Sequence, residues 1–404
     1  MWLYYIMLSV FALQNQRIWN MRVVGYLTVI KILGLVVVAW ALVYGLGRGR
    51  LNALGNRVVV LFLLIFLVAT RSHLSYFLNN DETSSSGFNT YLSMLGLMIA
   101  TVLLVDSRSK IRWALLACWV GVALGGLYVI REFQLYRGTG GSFRPGWVVG
   151  NPNYYAASVV VCLPMGLVLL ELEKRLLLRL LVLGCFGVTG IAFLLTASRG
   201  GLVAVGAFGL FAILRVRKWR KRIVAFGIVL LLLLVLYPRS PLYRLLSPGR
   251  ADRGSTEYRK ELVASGLEMI VSHPIGGVGL GSFKSESAEA LRGGVGLTAH
   301  NMYIEVAAEL GVPALALFLL LIYGSWRNLR QVLLHPDLDS ELGQLSLALQ
   351  GSLLAFMVAA LFITAEYQRY FWFVVFLSAV LKRLVRVTEV GDKGRVAEPV
   401  PVGV

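Results

Sequence analysis

The feature that most constrains the fold of this chain is a series of long apolar blocks separated by short basic stretches. Residues 58–70 and 202–214 carry no charged side chain, and residues 24–47 carry only Lys31. A helix needs about 20 mostly apolar residues to cross a bilayer, and its backbone polar groups must be satisfied within the element. A membrane β-barrel would instead alternate polar and apolar residues in segments of about ten. The blocks therefore predict membrane-spanning helices.

Composition agrees, because 57% of the 404 residues are hydrophobic and 15% are charged, whereas a soluble domain carries about 25% charged residues. We predict an all-α polytopic membrane protein with about twelve transmembrane helices and one large extracytoplasmic loop. A single transmembrane domain is expected over residues 1–385, followed by a cytoplasmic tail at 386–404. The predicted spans lie near residues 2–14, 24–46, 58–76, 88–105, 113–130, 153–171, 178–196, 200–214, 223–238, 301–323, 343–365 and 369–385.

The net charge of +18 comes largely from basic residues in the gaps between the blocks. Such residues mark the cytoplasmic side of a membrane protein, and this explains the charge more simply than nucleic-acid binding does. The densest basic gap, residues 215–222, is therefore placed in the cytoplasm, and alternation of the other gaps places both termini there. The first block is short for a span, so the sequence leaves open whether residues 1–22 cross the membrane.

The long loop, residues 239–299, falls on the extracytoplasmic side. Within it, residues 255–272 show the periodicity of an amphipathic helix, which Pro274 would end. Residues 275–283 are rich in glycine. Loops of this length in a compact protein are usually functional or disordered, so this loop and its edges are where we look for chemistry.

His300 stands where the long loop re-enters the membrane. A histidine there can titrate near neutral pH and act as a base or bind an anion; the alternative is an interfacial histidine that caps a helix. Glu305 and Glu309 follow on one helical face with Asn301. Acidic side chains inside a span are costly, so they predict either a functional role or pairing with a neighbouring arginine.

Arg199 lies in Ser-Arg-Gly-Gly, residues 198–201, between two apolar blocks on the extracytoplasmic side. Its planar fork of donors suits an anion such as phosphate, although an arginine here can also extend to lipid headgroups. Arg259 near the start of the loop helix either attracts an anion or is a solvated loop charge. Arg144 and Asn153 belong to the end of the other sizeable extracytoplasmic segment. No Cys or His cluster predicts a metal site.

Five motifs follow one another along the chain: Gly-Asn-Pro-Asn at 150–153; Thr-Ala-Ser-Arg-Gly-Gly at 196–201; Arg259 with Gly-Leu-Glu-Met-Ile at 266–270; His-Pro-Ile-Gly-Gly-Val-Gly-Leu-Gly-Ser-Phe at 273–283; and His-Asn-Met-Tyr-Ile-Glu at 300–305, running to Gly311. Together they resemble the O-antigen ligase and O-antigen polymerase family of bacterial envelope glycosyltransferases, over about residues 145–325. His300, Asn301 and Gly311 match the ligase pattern, whereas Ala314 stands where that pattern has Gly, Thr or Tyr.

The resemblance implies a membrane glycosyltransferase of the lipid-phosphosugar type, without nucleotide, metal or other cofactor. The donor would be a glycan on undecaprenyl pyrophosphate, and the acceptor would be lipid A core or a growing glycan. The site would face the periplasm from the bacterial inner membrane. The resemblance makes His300 catalytic and assigns the pyrophosphate to Arg199 and Arg259. The predicted supporting residues are Asn301, Glu305, Glu309, Arg144, Asn153 and Arg369.

The first interpretation is an inverting O-antigen ligase that acts on lipid A core, and the second is a repeat-unit polymerase of the same family. A lipid-glycan flippase or another transporter is the alternative from a different class, although transporters tend to show repeats and a site at the bilayer midplane. A further alternative is a non-catalytic scaffold, in which the polar residues only hold the loop in place.

Overall fold

A computed structural model describes residues 1–13, 22–24, 27–78, 84–136, 143–146, 151–236, 250–290, 297–335, 340–365 and 367–396. This part of the chain is almost entirely helical, which confirms the all-α prediction. The α-helices are α1 Trp2–Ser9, α2 Val29–Gly47, α3 Arg57–Leu78, α4 Ser84–Leu104, α5 Arg108–Tyr136, α6 Pro152–Leu172, α7 Leu176–Thr196, α8 Arg199–Arg215, α9 Arg220–Leu236, α10 Arg250–Ser272, α11 Phe283–Ala290, α12 Met302–Leu310, α13 Val312–Leu333, α14 Ser340–Ala359 and α15 Arg369–Val396.

Shorter elements complete the description. Three 3₁₀ segments lie at Phe11–Leu13, Arg50–Gly55 and Arg217–Trp219. The strands β1 Arg22–Val24 and β2 Leu27–Thr28 pair in an antiparallel hairpin, which the all-α prediction did not include.

Eight of the described helices are long and apolar enough to cross a membrane, by length and composition. Helix α1 has 8 residues, and α8 and α9 have 17 each, so these three are shorter than all eight candidate spans. The predicted number of about twelve spans therefore stays a prediction. The eight candidate spans are Val29–Gly47, Arg57–Leu74, Gly87–Leu104, Arg108–Tyr136, Pro152–Leu172, Leu176–Thr196, Val312–Leu333 and Ser340–Ala359.

The centre of the bundle is formed by α15, the last helix of the described chain. Its side chains from Tyr370 to Leu377 are all 0% exposed. Phe371 stacks on Phe356 of α14 with ring centroids 4.2 Å apart, and Trp372 meets Phe62 of α3 at 5.1 Å. Offset and edge-to-face aromatic pairs of this kind stabilise a core beyond the area that they bury.

A glycine divides the segment that was predicted as one span at 301–323. Helix α12 ends at Leu310, and α13 begins at Val312 with a proline in its first turn. Gly311 between them has φ +88, and a Cβ there would lie 2.2 Å from the carbonyl oxygen of Ile275. The helix is therefore interrupted within the predicted span, because Gly311 adopts a backbone conformation open to glycine, and the candidate span begins at Val312.

The long loop packs against α12 in a small apolar cluster of its own. Helix α10 begins at Arg250, earlier than the predicted Ser255, and ends at Ser272, as predicted. Its buried Leu262 and Met269 pack with Phe283 and Ala308. The loop therefore has a core separate from that of the helical bundle.

The glycine-rich segment joins the loop to the α12–α13 junction through its backbone. The N–H of Val278 donates to the carbonyl of Ala308 at 2.8 Å, and the N–H of Gly279 donates to that of Glu309 at 3.0 Å. Gly277 has φ +67, and a Cβ on it would lie 2.3 Å from the Glu309 carbonyl oxygen. The loop backbone thus satisfies carbonyls in the last turn of α12, which a helix end leaves unpaired.

Candidate functional site

The turn between α7 and α8 presents Arg199 at the start of a helix. Ala197 adopts φ +47 and ends α7, and Ser198 caps α8 by accepting a hydrogen bond from the N–H of Gly201 at 3.3 Å. A Cβ on Gly200 would lie 2.7 Å from Cβ of Phe362, so the absent side chain lets the segment after α14 approach. In the sequence Ser-Arg-Gly-Gly, Ser198 therefore caps the helix, Arg199 supplies a cation, and Gly200 allows the close approach of Phe362.

A hydrogen-bond network joins this turn to two segments far away in sequence. The side-chain oxygen of Asn153 accepts from Nη2 of Arg144 at 2.9 Å and from the hydroxyl of Ser198 at 3.0 Å. Nε of Arg144 also donates to the carbonyl of Thr196 at 2.8 Å. Asn151 caps α6 by accepting from the N–H of Asn153 at 2.8 Å. The predicted Arg144 and Asn153 thus meet the Arg199 turn.

Arg144, Asn153 and Ser198 of this network line one solvent-open cleft of about 470 Å³, its open mouth included. The cleft brings together four of the predicted site residues, and the described residues of its lining include three arginines and no acidic side chain. Such a cleft favours an anionic ligand, because focused positive potential raises the local concentration of anions. The lining residues are Arg144, Asn153, Ala157, Ser198, Arg199, Gly200, Gly201, Arg259, Ala359, Phe362 and Ile363.

His300 lies beside this cleft without lining it. The structure places it close enough to Arg259 for the two to interact electrostatically. Burial, with a smaller contribution from the Arg259 guanidinium, lowers the pKa of His300 to about 4. Two residues later, the N–H of Met302 donates to the carbonyl of Ala360 at 3.0 Å, and Ala360 is next to Ala359 of the cleft. His300 is therefore a neutral imidazole near pH 7 in the substrate-free protein.

The backbone at His300 is unusual, since it has φ +52. Histidine is one of the few non-glycine types enriched in this left-handed region. Asn301 begins α12 by accepting from the N–H groups of Tyr303 and Ile304 at 3.0 and 3.2 Å. The predicted Asn301 thus supports the turn that carries His300 and is itself a helix cap.

The two glutamates of α12 hold the backbone around the site. Glu305 is 3% exposed, and it accepts from the N–H of Ala299 at 2.8 Å and from the hydroxyl of Thr364. Glu309 is 4% exposed and accepts from the N–H of Phe283 at 3.2 Å. Glu305 therefore fixes the chain just before His300, and Glu309 fixes the end of the glycine-rich segment.

Arg369 is not among the residues of the cleft. It donates to the hydroxyl of Ser93 at 3.3 Å, and its guanidinium lies 5.9 Å from the ring centroid of Phe11. Its neighbour Gln368 reaches α6 instead, donating to the hydroxyl of Ser158 at 2.8 Å. The structure therefore places Arg369 among α4 and the N-terminal segment, apart from the other predicted residues.

Sequence reasoning passed over Ser198, Phe362 and Thr364, which all contribute to the site or its support. Ser198 could have been found as a cap, because Ser is favoured before the first helical residue. Phe362 and Thr364 follow α14, and no local sequence pattern marks either of them as part of the site. In the described part of the chain, no group of three or more His, Cys, Asp or Glu side chains could hold a metal ion.

Eight apolar helices and a basic cleft at helix ends define the class, a polytopic all-α membrane protein with a site suited to anions. Residues 180–319 match a family model described as O-antigen ligase. Over that segment the chain is similar to the O-antigen ligase family, and the resemblance found in its motifs is confirmed there. The match includes Arg199, Arg259 and His300, whereas Arg144 and Asn153 precede it. No match to a curated protein is found.

Proposed function

We propose that this protein transfers a glycan from undecaprenyl pyrophosphate to a sugar hydroxyl of lipid A core, as an inverting O-antigen ligase. The observation that carries the proposal is the cleft, which brings Arg144, Arg199 and Arg259 together while His300 lies alongside. The site would face the periplasm from the bacterial inner membrane, with both chain termini in the cytoplasm.

The arginines would act on the leaving group. Attack by the acceptor oxygen on the anomeric carbon forms the new glycosidic bond, and the bond from that carbon to the pyrophosphate oxygen breaks. The electron pair leaves with the lipid pyrophosphate, whose developing negative charge Arg199 and Arg259 would stabilise. One well-placed donor to such a charge is worth about 3–4 kcal/mol. Direct displacement of this kind inverts the anomeric centre.

His300 would take the proton from the acceptor hydroxyl. Its lowered pKa leaves it neutral before substrate binds, which is the state that a general base requires, and such a base contributes roughly 10²–10⁴-fold. Binding pyrophosphate as the imidazolium is the other role for His300, and the neutral state favours the base. Glu305 would orient His300 through the backbone of Ala299.

A polymerase of the same family is the second candidate, and Ala314 favours it. Ala314 occupies the position where the ligase pattern has Gly, Thr or Tyr, and it is 1% exposed in α13. The cleft chemistry is the same for both, since each joins a donor on lipid pyrophosphate to a sugar hydroxyl. Only the acceptor differs.

The test is transfer by the purified full chain from a synthetic undecaprenyl-pyrophosphate glycan to lipid A core, with EDTA and without nucleotide. We expect Arg199→Ala and Arg259→Ala each to lower the rate about 100- to 1000-fold, by loss of leaving-group stabilisation. The matched control is Arg131→Ala, an exposed arginine near the same end of the bundle that does not line the cleft.

Each outcome decides between the candidates. Glycosylated core that carries the inverted anomeric configuration supports the ligase, and a lengthened donor glycan supports the polymerase. A retained configuration contradicts direct displacement. If the folded wild type forms neither product and instead moves the donor across vesicles, the protein is a transporter and the proposal is wrong.

A further inference from the structure

A second cleft lies at the opposite end of the helical bundle from the candidate site. Asn153 of the first cleft is near the start of α6, whereas the second cleft contains Leu169 and Glu173 at the end of that helix. Along α6, the lining residues of the two clefts are between 12 residues (Ala157 to Leu169) and 20 residues (Asn153 to Glu173) apart, which is about 18–30 Å at 1.5 Å per residue. A ligand of the second cleft would therefore be separate from the proposed reaction.

The second cleft is formed by α5, the end of α6 and the start of α7. It is open to solvent at its mouth and encloses about 570 Å³, that open mouth included. Its lining changes from polar at the helix ends to apolar deeper in the bundle. The lining residues are Ser109, Arg112, Trp113, Leu116, Leu169, Glu173, Arg175, Leu178 and Val182.

The mouth of the second cleft carries two arginines with different surroundings. Nε of Arg112 lies 3.4 Å from a carboxylate oxygen of Glu341. The guanidinium of the exposed Arg175 forms no hydrogen bond or ion pair with a described residue. The one acidic lining residue, Glu173, accepts the backbone N–H groups of Lys174 and Arg175 at 3.0 and 2.9 Å. A positive charge is therefore left for a ligand at the mouth.

The deeper wall is apolar and continues onto the outer surface of the bundle. Leu116, Leu169 and Val182 are buried, and the neighbouring Leu176 and Leu177 are 69% and 81% exposed. Both leucines begin the candidate span Leu176–Thr196, and large exposed leucines in such a span are expected to face lipid acyl chains. A molecule in this cleft would thus meet arginine at one end and hydrocarbon at the other.

We propose that the second cleft binds one anionic glycerophospholipid. Its phosphate would lie at Arg175 and Arg112, its glycerol near Trp113, and an acyl chain would follow Leu178 toward Val182. Basic pockets between transmembrane helices bind anionic lipid headgroups, and tryptophan is enriched at this depth of a membrane. A zwitterionic phosphatidylcholine fits less well, because its choline cation adds positive charge beside the arginines.

The test is native mass spectrometry and thermal unfolding of the purified full chain, titrated with phosphatidylglycerol, phosphatidylcholine and soluble glycerol 3-phosphate. We expect phosphatidylglycerol to bind most tightly and to raise the melting temperature. Arg175→Gln should weaken that binding about tenfold through loss of a charge-assisted contact. Lys174→Gln is the matched control, an adjacent exposed cation outside the lining, and it should change the affinity by less than about fivefold.

Three results would overturn the proposal. Equal losses in the two variants would make the attraction a general surface charge. Equal affinity for phosphatidylcholine would make the cleft an apolar surface without headgroup selection. Competition by glycerol 3-phosphate at the same concentration would make it a site for a soluble anion. None of these results depends on transfer activity, so the proposed glycosyltransferase function stands or falls separately.

Discussion

At the scale of single residues, Asn153 joins three parts of the chain at the candidate site. Its side-chain oxygen accepts from both Arg144 and Ser198. The same cap that starts α8 is therefore tied to a loop arginine and to the first turn of α6. Because both donors depend on one acceptor, loss of that amide should loosen the turn that presents Arg199.

The pKa of His300 leads to a prediction about pH. A folded-state pKa of about 4, below the ordinary value of about 6.5, means that the folded protein favours the neutral ring. As pH is lowered, we expect kcat/KM for transfer to stay flat through about pH 6.5 and to fall only near pH 4, where His300 becomes protonated. Initial rates at subsaturating donor across this range measure it, and an acid limb near 6.5 would contradict a neutral base.

The lowered pKa of His300 also makes the folding stability of the protein fall at acidic pH. As pH falls, the unfolded chain binds a proton at His300 before the folded chain does. The contribution of the neutral ring to the free energy of unfolding is therefore complete above about pH 6.5 and is lost as pH falls toward about 4. Melting temperatures of wild type and of His300→Asn should therefore separate on acidification through that window, with wild type becoming the lower of the two.

A substitution at His300 must separate chemistry from backbone strain. Alanine at φ +52 is strained by about 1–2 kcal/mol, whereas asparagine tolerates that conformation. We expect His300→Asn to keep the melting temperature and to lower transfer roughly 10²–10⁴-fold. The control is His335→Ala, because His335 follows the C-terminal end of α13 and does not line the cleft. If His300→Asn unfolds the protein, His300 is structural and the catalytic assignment fails.

At the scale of elements, the loop depends on close backbone contact with the end of α12. We expect Gly277→Ala to lower stability by about 1–3 kcal/mol, because alanine is strained at positive φ and its Cβ would meet the Glu309 carbonyl. Gly276→Ala is a matched control, since a Cβ at Gly276 meets nothing within 4 Å.

Thermal unfolding in detergent and transfer rate together test this prediction. The Gly277 variant should lose both stability and activity, since α12 begins beside His300. Equal behaviour of the two glycine variants would show that the contact between Gly277 and α12 does not hold the loop.

At the scale of the whole molecule, the proposed orientation puts the two clefts on opposite sides of the membrane. Cys118, Cys162 and Cys185 are buried, so wild type should react little with a membrane-impermeant maleimide. We expect a cysteine at Ser272 to be labelled from outside spheroplasts and one at Lys174 only after lysis. Labelling with the reverse pattern would invert the topology and remove the periplasmic site.

Local sequence signals predicted the elements better than their assembly. Apolar blocks predicted helices, and the motifs pointed to Arg144, Asn153, Arg199 and Arg259, which one cleft brings together. Arg369 could not be placed, because helical periodicity does not say which helices are neighbours. The contact of Thr364 with Glu305 joins residues 59 positions apart, and no local pattern encodes such a pair.

The backbone contacts between the glycine-rich segment and α12 also have a consequence for how the protein is made. The N–H groups of Val278 and Gly279 meet carbonyls of Ala308 and Glu309, which a ribosome adds about thirty residues later. On the proposed topology the loop must already have been exported when α12 emerges, so that helix receives its terminal partners only after export. We expect a released chain truncated before Ala308 to leave the loop exposed to protease, and one extended past Val312 to protect it.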